Sequence, residues 1–269
     1  MNPMRPAILT ALLLASGCRD WSKPVIPQDP ELAALAKDAA PPTRDELHAS
    51  ASKLSKQGDA RAALRALQRA LAMQPADPQT EFLMAREYLA LGERASALEF
   101  ATLASLHDAS PARAAACAPI MVAAGAPQRA ASLIESALPA AGDAALRAPL
   151  LQELVAARSA AGEHDGSLAA ASELVAAVPG AASQAILGDA LLRAGQLADA
   201  EDAFRAGTTV DPKSTVCWNG LGTAALNRWI AGGKVDSSAR ARAVAAFEAS
   251  LAVDGDQPKV VRLMASHGL

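Results

Sequence analysis

Five glycines frame this chain. Gly58, Gly92, Gly125, Gly162 and Gly195 follow one another at intervals of 34, 33, 37 and 33 residues. Five residues after four of them stands an alanine, at Ala63, Ala97, Ala130 and Ala200, with Ser167 in the fifth case. Four residues before them come Leu54, Tyr88, Met121 and Leu191, with Arg158 the exception, and nine residues after come Leu67, Ala101, Ile134, Ala171 and Phe204. Self-similarity at this period marks stacked units, each too small to bury its own apolar face. Each unit reads as a helix, a glycine at its C-terminus, and a second helix opened by a polar residue. The small residue one turn into the second helix lets two antiparallel helices cross closely. The second helix then stops at a proline-bearing turn, as in Gln74-Pro75, Val178-Pro179 and Asp211-Pro212.

Composition agrees with thin helical layers. The 269 residues include 69 alanines, and the chain is 51% hydrophobic but only 3% aromatic. Alanine is the strongest helix former, whereas strands favour β-branched and aromatic residues, so an all-β fold is excluded. A net charge of −3, with both signs interspersed, gives no electrostatic footprint for nucleic acid.

The units resemble tetratricopeptide repeats (TPR). The sixth carries the signature most fully, with Asp211-Pro212, Trp218-Asn-Gly-Leu221-Gly222, Ala243, Phe247, Ser250 and Asp254. The resemblance implies an all-α fold, a right-handed α-solenoid of about six helix-turn-helix repeats. These are placed near 44–77, 78–110, 111–147, 148–180, 181–214 and 215–255, with residues 256–269 as a capping helix. The third and fourth units depart from the pattern, Pro119 interrupting a first helix and Arg158 replacing an apolar contact. The sixth has nine residues too many between Ala225 and Ala243, which predicts an enlarged turn around residues 229–236, either a contact site through Trp229 or a slack loop with Trp229 folded onto the helix end.

The leading residues carry a different message. Ala7 to Ala15 is a short apolar run, far below the roughly 20 residues of a spanning helix, and it fits the core of a signal peptide. Leu14-Ala15-Ser16-Gly17-Cys18 resembles the lipobox of bacterial lipoproteins, which implies a signal peptide over 1–17, cleavage before Cys18 and lipidation of that residue. Arg19, in place of an aspartate, points to the periplasmic face of the outer membrane. Residues 18–43 form a proline-rich tether with Pro24, Pro27, Pro30, Pro41 and Pro42, a short helical stretch at 31–39, and Trp21 beside the lipid site.

No catalytic constellation emerges. His48, His107, His164 and His267 lie far apart, lack a close zinc-ligand partner and read as solvated, so no metal and no cofactor are expected. Cys117 and Cys217 stand three repeats apart and cannot pair in a solenoid, where units touch only their neighbours. Gly220-Leu-Gly222 imitates a dinucleotide fingerprint without the strand that would precede it. No small-molecule substrate is indicated.

The first helices of such units line a concave face that takes peptides or helices. Helical periodicity puts Asp45, His48, Ser52 and Lys56 there, then Phe82, Arg86, Leu89, Ala115 and Val122, then Gln152, Ser159, Asp189, Arg193, Asn219, Thr223 and Asn227. The candidate partner-binding residues are Phe82, Arg86, Leu89, Val122, Asp189, Arg193, Asn219, Asn227 and Trp229. The groove lacks the lysine, arginine and asparagine cluster with which chaperone-binding members hold a C-terminal carboxylate. Phe82, Leu89 and Val122 instead form an apolar stretch, open to a partner or to the 31–39 segment folded back. The expected role is a non-catalytic adaptor in an envelope assembly, similar to the pilotin-type lipoproteins of type IV pili, or alternatively a lipoprotein docking peptidoglycan-remodelling enzymes.

Overall fold

Alanine-rich segments punctuated by glycine and proline give helices of 10 to 18 residues throughout the computed structural model, which describes residues 41–269. The signal-peptide, Cys18 and 31–39 readings lie outside the described residues, as does most of the tether. Among the described residues there are thirteen α-helices and no strand. They are α1 (Arg44–Lys56), α2 (Ala60–Met73), α3 (Pro78–Ala90), α4 (Arg94–His107), α5 (Pro111–Ala123), α6 (Pro127–Ala137) and α7 (Ala144–Ala161). There follow α8 (His164–Ala177), α9 (Ala181–Arg193), α10 (Leu197–Val210), α11 (Thr215–Ala231), α12 (Ser237–Val253) and α13 (Pro258–His267). The first twelve pair into six antiparallel units of a TPR-like α-solenoid, and each helix packs on the next. From α3 onward the first helices of consecutive units also pack on one another, while consecutive second helices do not come together to that extent.

The turn between paired helices is the same device five times over. In the second unit Gly92 adopts φ +77°, its N–H donates to the Leu89 carbonyl at 3.0 Å, and the Glu93 N–H donates to the Tyr88 carbonyl at 2.9 Å. A left-handed residue there satisfies carbonyls that the helix end leaves open, and glycine adopts it without a Cβ penalty. The residue four before the glycine thus supplies the carbonyl that closes the turn. Beyond the turn, Ala63, Ala97, Ala130 and Ala200 are wholly inaccessible to solvent, and Ser167 nearly so.

Both departures in the middle of the chain are accommodated. Pro119 does not interrupt α5; the helix continues to Ala123 with the Pro119 ring on its exposed face. Arg158 carries its guanidinium out of the interface, donating from Nη1 to the Gly166 carbonyl at 2.8 Å and pairing with Glu135 at 2.6 Å. Beneath it Ser159 and Ser167 share a hydrogen bond of 2.7 Å. The longer third interval reflects a short 3-10 turn, Leu138–Ala140, and an α7 that starts early, at Ala144.

The sixth unit corrects the predicted loop. Its additional residues mostly lengthen the helices: α11 has 17 residues where α9 has 13, and α12 has 17 where α10 has 14. The turn glycine is Gly233 at φ +70°, and the Lys234 N–H donates to the Trp229 carbonyl at 2.8 Å. Trp229 therefore occupies the place of Leu54 or Tyr88, one helical turn later. It is 7% exposed, packed with Ala225, Leu226, Ala239, Ala243, Phe247 and Val260 of α13.

The apolar interior falls into successive clusters. One runs continuously from α3 to α8 and reaches α9 at Ala190, and another joins α9, α10, α11 and α12 around Phe204. Polar side chains tie most neighbouring units together. Arg113 Nη2 donates to Gln79 Oε1 at 3.0 Å between units two and three, Arg158 meets Glu135 between three and four, and Arg242 Nε donates to Glu201 at 3.0 Å between five and six. Between units four and five the side-chain bonds are those of the Ser183 hydroxyl, which donates to the Val178 and Gly180 carbonyls at 2.7 and 3.0 Å within the connecting turn, and among the described residues no ion pair spans that junction.

Units one and two meet through Asp77, the N-cap of α3. Its carboxylate accepts from the Thr80 N–H at 2.9 Å and from the Thr80 hydroxyl, with Arg44 Nη1 at 3.5 Å and His48 Nε2 at 3.8 Å. Burial pushes the Asp77 carboxyl up, but the Thr80 hydrogen bonds and the Arg44 and His48 charges outweigh it and hold it below the usual range. A lowered folded value means that this stabilisation is whole above the ordinary carboxylate value of about 3.9 and fades as pH falls through the folded value. Asp77→Ala should cost about 0.5–2 kcal/mol in urea unfolding at pH 7, and the difference from wild type should close at acid pH.

Phe204 shows how tightly the units interlock. It is fully buried, and a Cβ built on Gly188 or Gly220 would stand 2.7 Å or 2.2 Å from its ring. With backbone on both sides the ring has nowhere to move. Gly220→Ala gains about 1 kcal/mol of helix propensity against an overpacking cost of about 1–3 kcal/mol. Net destabilisation is expected, read as a lower urea midpoint; an unchanged or raised midpoint would contradict the clasp.

Candidate partner-binding groove

Counting back from each turn glycine maps the face formed by the first helices. The residues six positions before it, Ser52, Arg86, Pro119, Ala156 and Asp189, are exposed in all five units. Those three positions before it, Ser55, Leu89, Val122, Ser159 and Leu192, are half-buried in all five. Because the first helices pack on one another and the second helices stand further apart, these columns run along the tighter, inner side of the stack.

Units two and three give this face its apolar part. Phe82, Leu89 and Val122 are half-buried and pack against the same core cluster, which also takes in Ala115. The Arg113 guanidinium lies 5.1 Å from the centroid of the Phe82 ring and is held there by Asp108, with Nε to Oδ2 at 3.2 Å. A cation on an aromatic face fixes the ring while leaving an edge for contact. Arg86, exposed on α3, stands one helical turn from both Phe82 and Leu89.

The far end is polar. Asp189 and Arg193 are exposed one turn apart on α9, and Glu153 of α7 is half-buried. Surrounding protein desolvates both acids: burial raises the Asp189 carboxyl, with the Arg193 charge lowering it in part, and burial alone raises that of Glu153. Asn227 is exposed on α11. Asn219 is instead engaged with the C-terminal segment, its Nδ2 donating to Gln257 Oε1 at 2.8 Å. Trp229 does not reach this face: its ring is enclosed at the end of the sixth unit, with Lys234 Nζ 5.5 Å and the Arg240 guanidinium 6.0 Å from its centroid. The reading of Trp229 as an exposed contact aromatic is thus corrected by its packing.

His48 is half-buried where a solvated side chain was expected, and His107, though exposed, has a specific partner. His48 Nε2 lies 2.7 Å from Thr80 Oγ1, and His107 Nδ1 lies 2.8 Å from Glu81 Oε2, both partners belonging to the first turn of α3. The buried Glu81 and Glu201 had no local sequence signal, since His107 and Arg242 reach them from other helices, whereas Asp77 is bound by Thr80 three residues on. Cys117 and Cys217 are buried free thiols, and burial pushes Cys117 up to about 11, which keeps it protonated and unreactive at neutral pH. Gly222 faces the Phe247 ring, where a Cβ would stand at 2.6 Å, so its absence of side chain serves packing. Among the described residues no group of three or more His, Cys, Asp or Glu could hold a metal ion, and no helix is long and apolar enough to cross a membrane.

Neither a protein-family model nor a curated protein matches the sequence. Solved structures do match. A tetratricopeptide repeat protein from Parabacteroides merdae aligns at 16% identity with a TM-score of 0.59, over 87% of this chain and 88% of that one. PilW, a widely conserved type IV pilus biogenesis factor, aligns at 16% identity with a TM-score of 0.60, over 84% of this chain and 100% of that one. TPR-like repeats of a putative kinesin light chain from Podosopora anserina align at 21% identity with a TM-score of 0.54, over 63% of this chain and 95% of that one. The fold of residues 44–269 is that of the tetratricopeptide-repeat solenoids.

Proposed function

We propose that the chain is a lipid-anchored, non-catalytic adaptor whose inner face receives a segment of a protein partner, assisting assembly of a cell-envelope complex such as a pilus secretin. The observation that carries the groove is the set of half-buried Phe82, Leu89 and Val122, which pack on one core cluster along the first helices of units two and three. Apolar side chains grouped on a concave face, flanked by Arg86 on one side and Asp189 on the other, suit an apolar segment with polar ends. The Leu14-Ala15-Ser16-Gly17-Cys18 motif supports anchoring through Cys18, at the periplasmic face of the outer membrane. The likeness to PilW supports the pilus reading at the level of fold.

Two measurements test this. Radiolabelled palmitate should enter the wild-type chain and not Cys18→Ala; equal labelling would refute the anchor. Cells lacking the chain should lose secretin multimers, with rescue by wild type and not by Phe82→Asp combined with Leu89→Asp, provided the double variant still melts cooperatively. Full rescue by that variant would remove the groove from the mechanism, and undiminished multimers without the chain would remove the secretin.

A further inference from the structure

The second-helix side of units five and six holds an arrangement that the groove does not use. Glu201 of α10 is 2% exposed, and three guanidiniums converge on it: Arg242 Nε at 3.0 Å, Arg228 Nη1 at 3.4 Å and Arg205 Nη2 at 3.8 Å. Arg205 also pairs with the exposed Asp202. Arg242 Nη1 donates to Ser238 Oγ at 3.1 Å and its charge also reaches Asp236, whereas its Nη2 is buried without an acceptor.

Arg205 and Arg242 go on to line a pocket of about 280 Å³, whose other walls are Trp218, Leu221 and alanines of α12 that include Ala245 and Ala246. The Trp218 indole is fixed by its N–H, which donates to the Pro212 carbonyl at 2.8 Å. Pockets for drug-sized molecules run from about 300 to 1,000 Å³, so this one suits a single side chain. Its walls are apolar and its charged members are both guanidiniums, groups that hold a carboxylate through two parallel donors. A free small acid would cover little more than the pocket itself, whereas a side chain belonging to a protein brings surrounding surface that excludes water from the contact.

We propose that this pocket is a second docking site, which takes from a protein partner an apolar side chain flanked by a carboxylate. The apolar group rests on Trp218 and Leu221, and the carboxylate meets Arg205 and Arg242. The site lies on different helices from Phe82 and Leu89 and stands or falls independently of the groove.

The test follows the Trp218 indole N–H resonance of the full ¹⁵N-labelled chain, assigned with Trp218→Phe, during titration with acetyl-Glu-Leu-Glu-amide. A saturable shift is expected. Acetyl-Gln-Leu-Gln-amide and acetyl-Glu-Ala-Glu-amide should each bind about tenfold more weakly, as should the Glu-Leu-Glu peptide to Arg205→Gln, whose side chain is half exposed. Ala245→Leu, at an exposed position of the wall, should block the shift while leaving the melting temperature and the Trp229 resonance in place. Phe82→Asp should leave the titration unchanged. No saturable shift, equal binding of the glutamine peptide, or hexanoate binding as tightly as the peptide would overturn the proposal, the last by making the pocket a small-acid site.

Discussion

The fold depends on one close approach, the crossing of two antiparallel helices just after each turn. Ala63, Ala97, Ala130 and Ala200 are wholly buried there, and anything larger would hold the helices apart. The same closeness sets the composition. Where backbones nearly touch, the core is made of methyl groups and needs few large side chains, which is how a chain can be half hydrophobic with eight aromatic residues. Two of them are placed against glycines. Phe204 lies between Gly188 and Gly220, and Phe247 lies against Gly222.

The crossing also shapes the inner face. First helices that pack on one another from unit to unit present narrow, regular columns of side chains. Over units three and four those columns hold Pro119, Val122, Ala156 and Ser159, giving a low floor between Phe82 and Leu89 at one end and Asp189 and Arg193 at the other. The desolvation that raises the Glu153 and Asp189 carboxyls has the same origin, because side chains on a concave wall face protein where a convex surface would face water.

Much of this was legible in the sequence because the device is local. A glycine with positive φ, an accepting carbonyl four residues earlier and a small residue five later all lie within one turn and its flanks, so Gly58 to Gly195 could be read by spacing alone. Trp229 was misplaced because the sixth unit moves its turn glycine to Gly233, and one added helical turn carries an apparently exposed loop residue into the core. Pro119 looked like a break because spacing does not tell which way a ring faces. The polar contacts were out of reach for a further reason. His48 with Thr80, His107 with Glu81, and Arg228 and Arg242 with Glu201 join residues 26 to 41 positions apart, where no local pattern selects one pairing over another.

Those long-range ties are unevenly spread, and the unevenness bears on how the stack responds to load. A solenoid acts as a spring whose coils are joined in series, so its compliance gathers at the junction with the fewest directional bonds. Asp77, Gln79, Glu135 and Glu201 each anchor one junction with a charge or an amide. Between units four and five the helix faces share apolar contacts through Leu168, Ile186, Leu187 and Ala190, and the Ser183 hydroxyl bonds only within the connecting turn. Apolar surfaces slide at lower cost than hydrogen-bonded ones, because no donor is stranded by a small shift. Elastic curvature of the inner face is therefore least restrained at that seam, where the side-chain hydrogen bonds stay within the connecting turn.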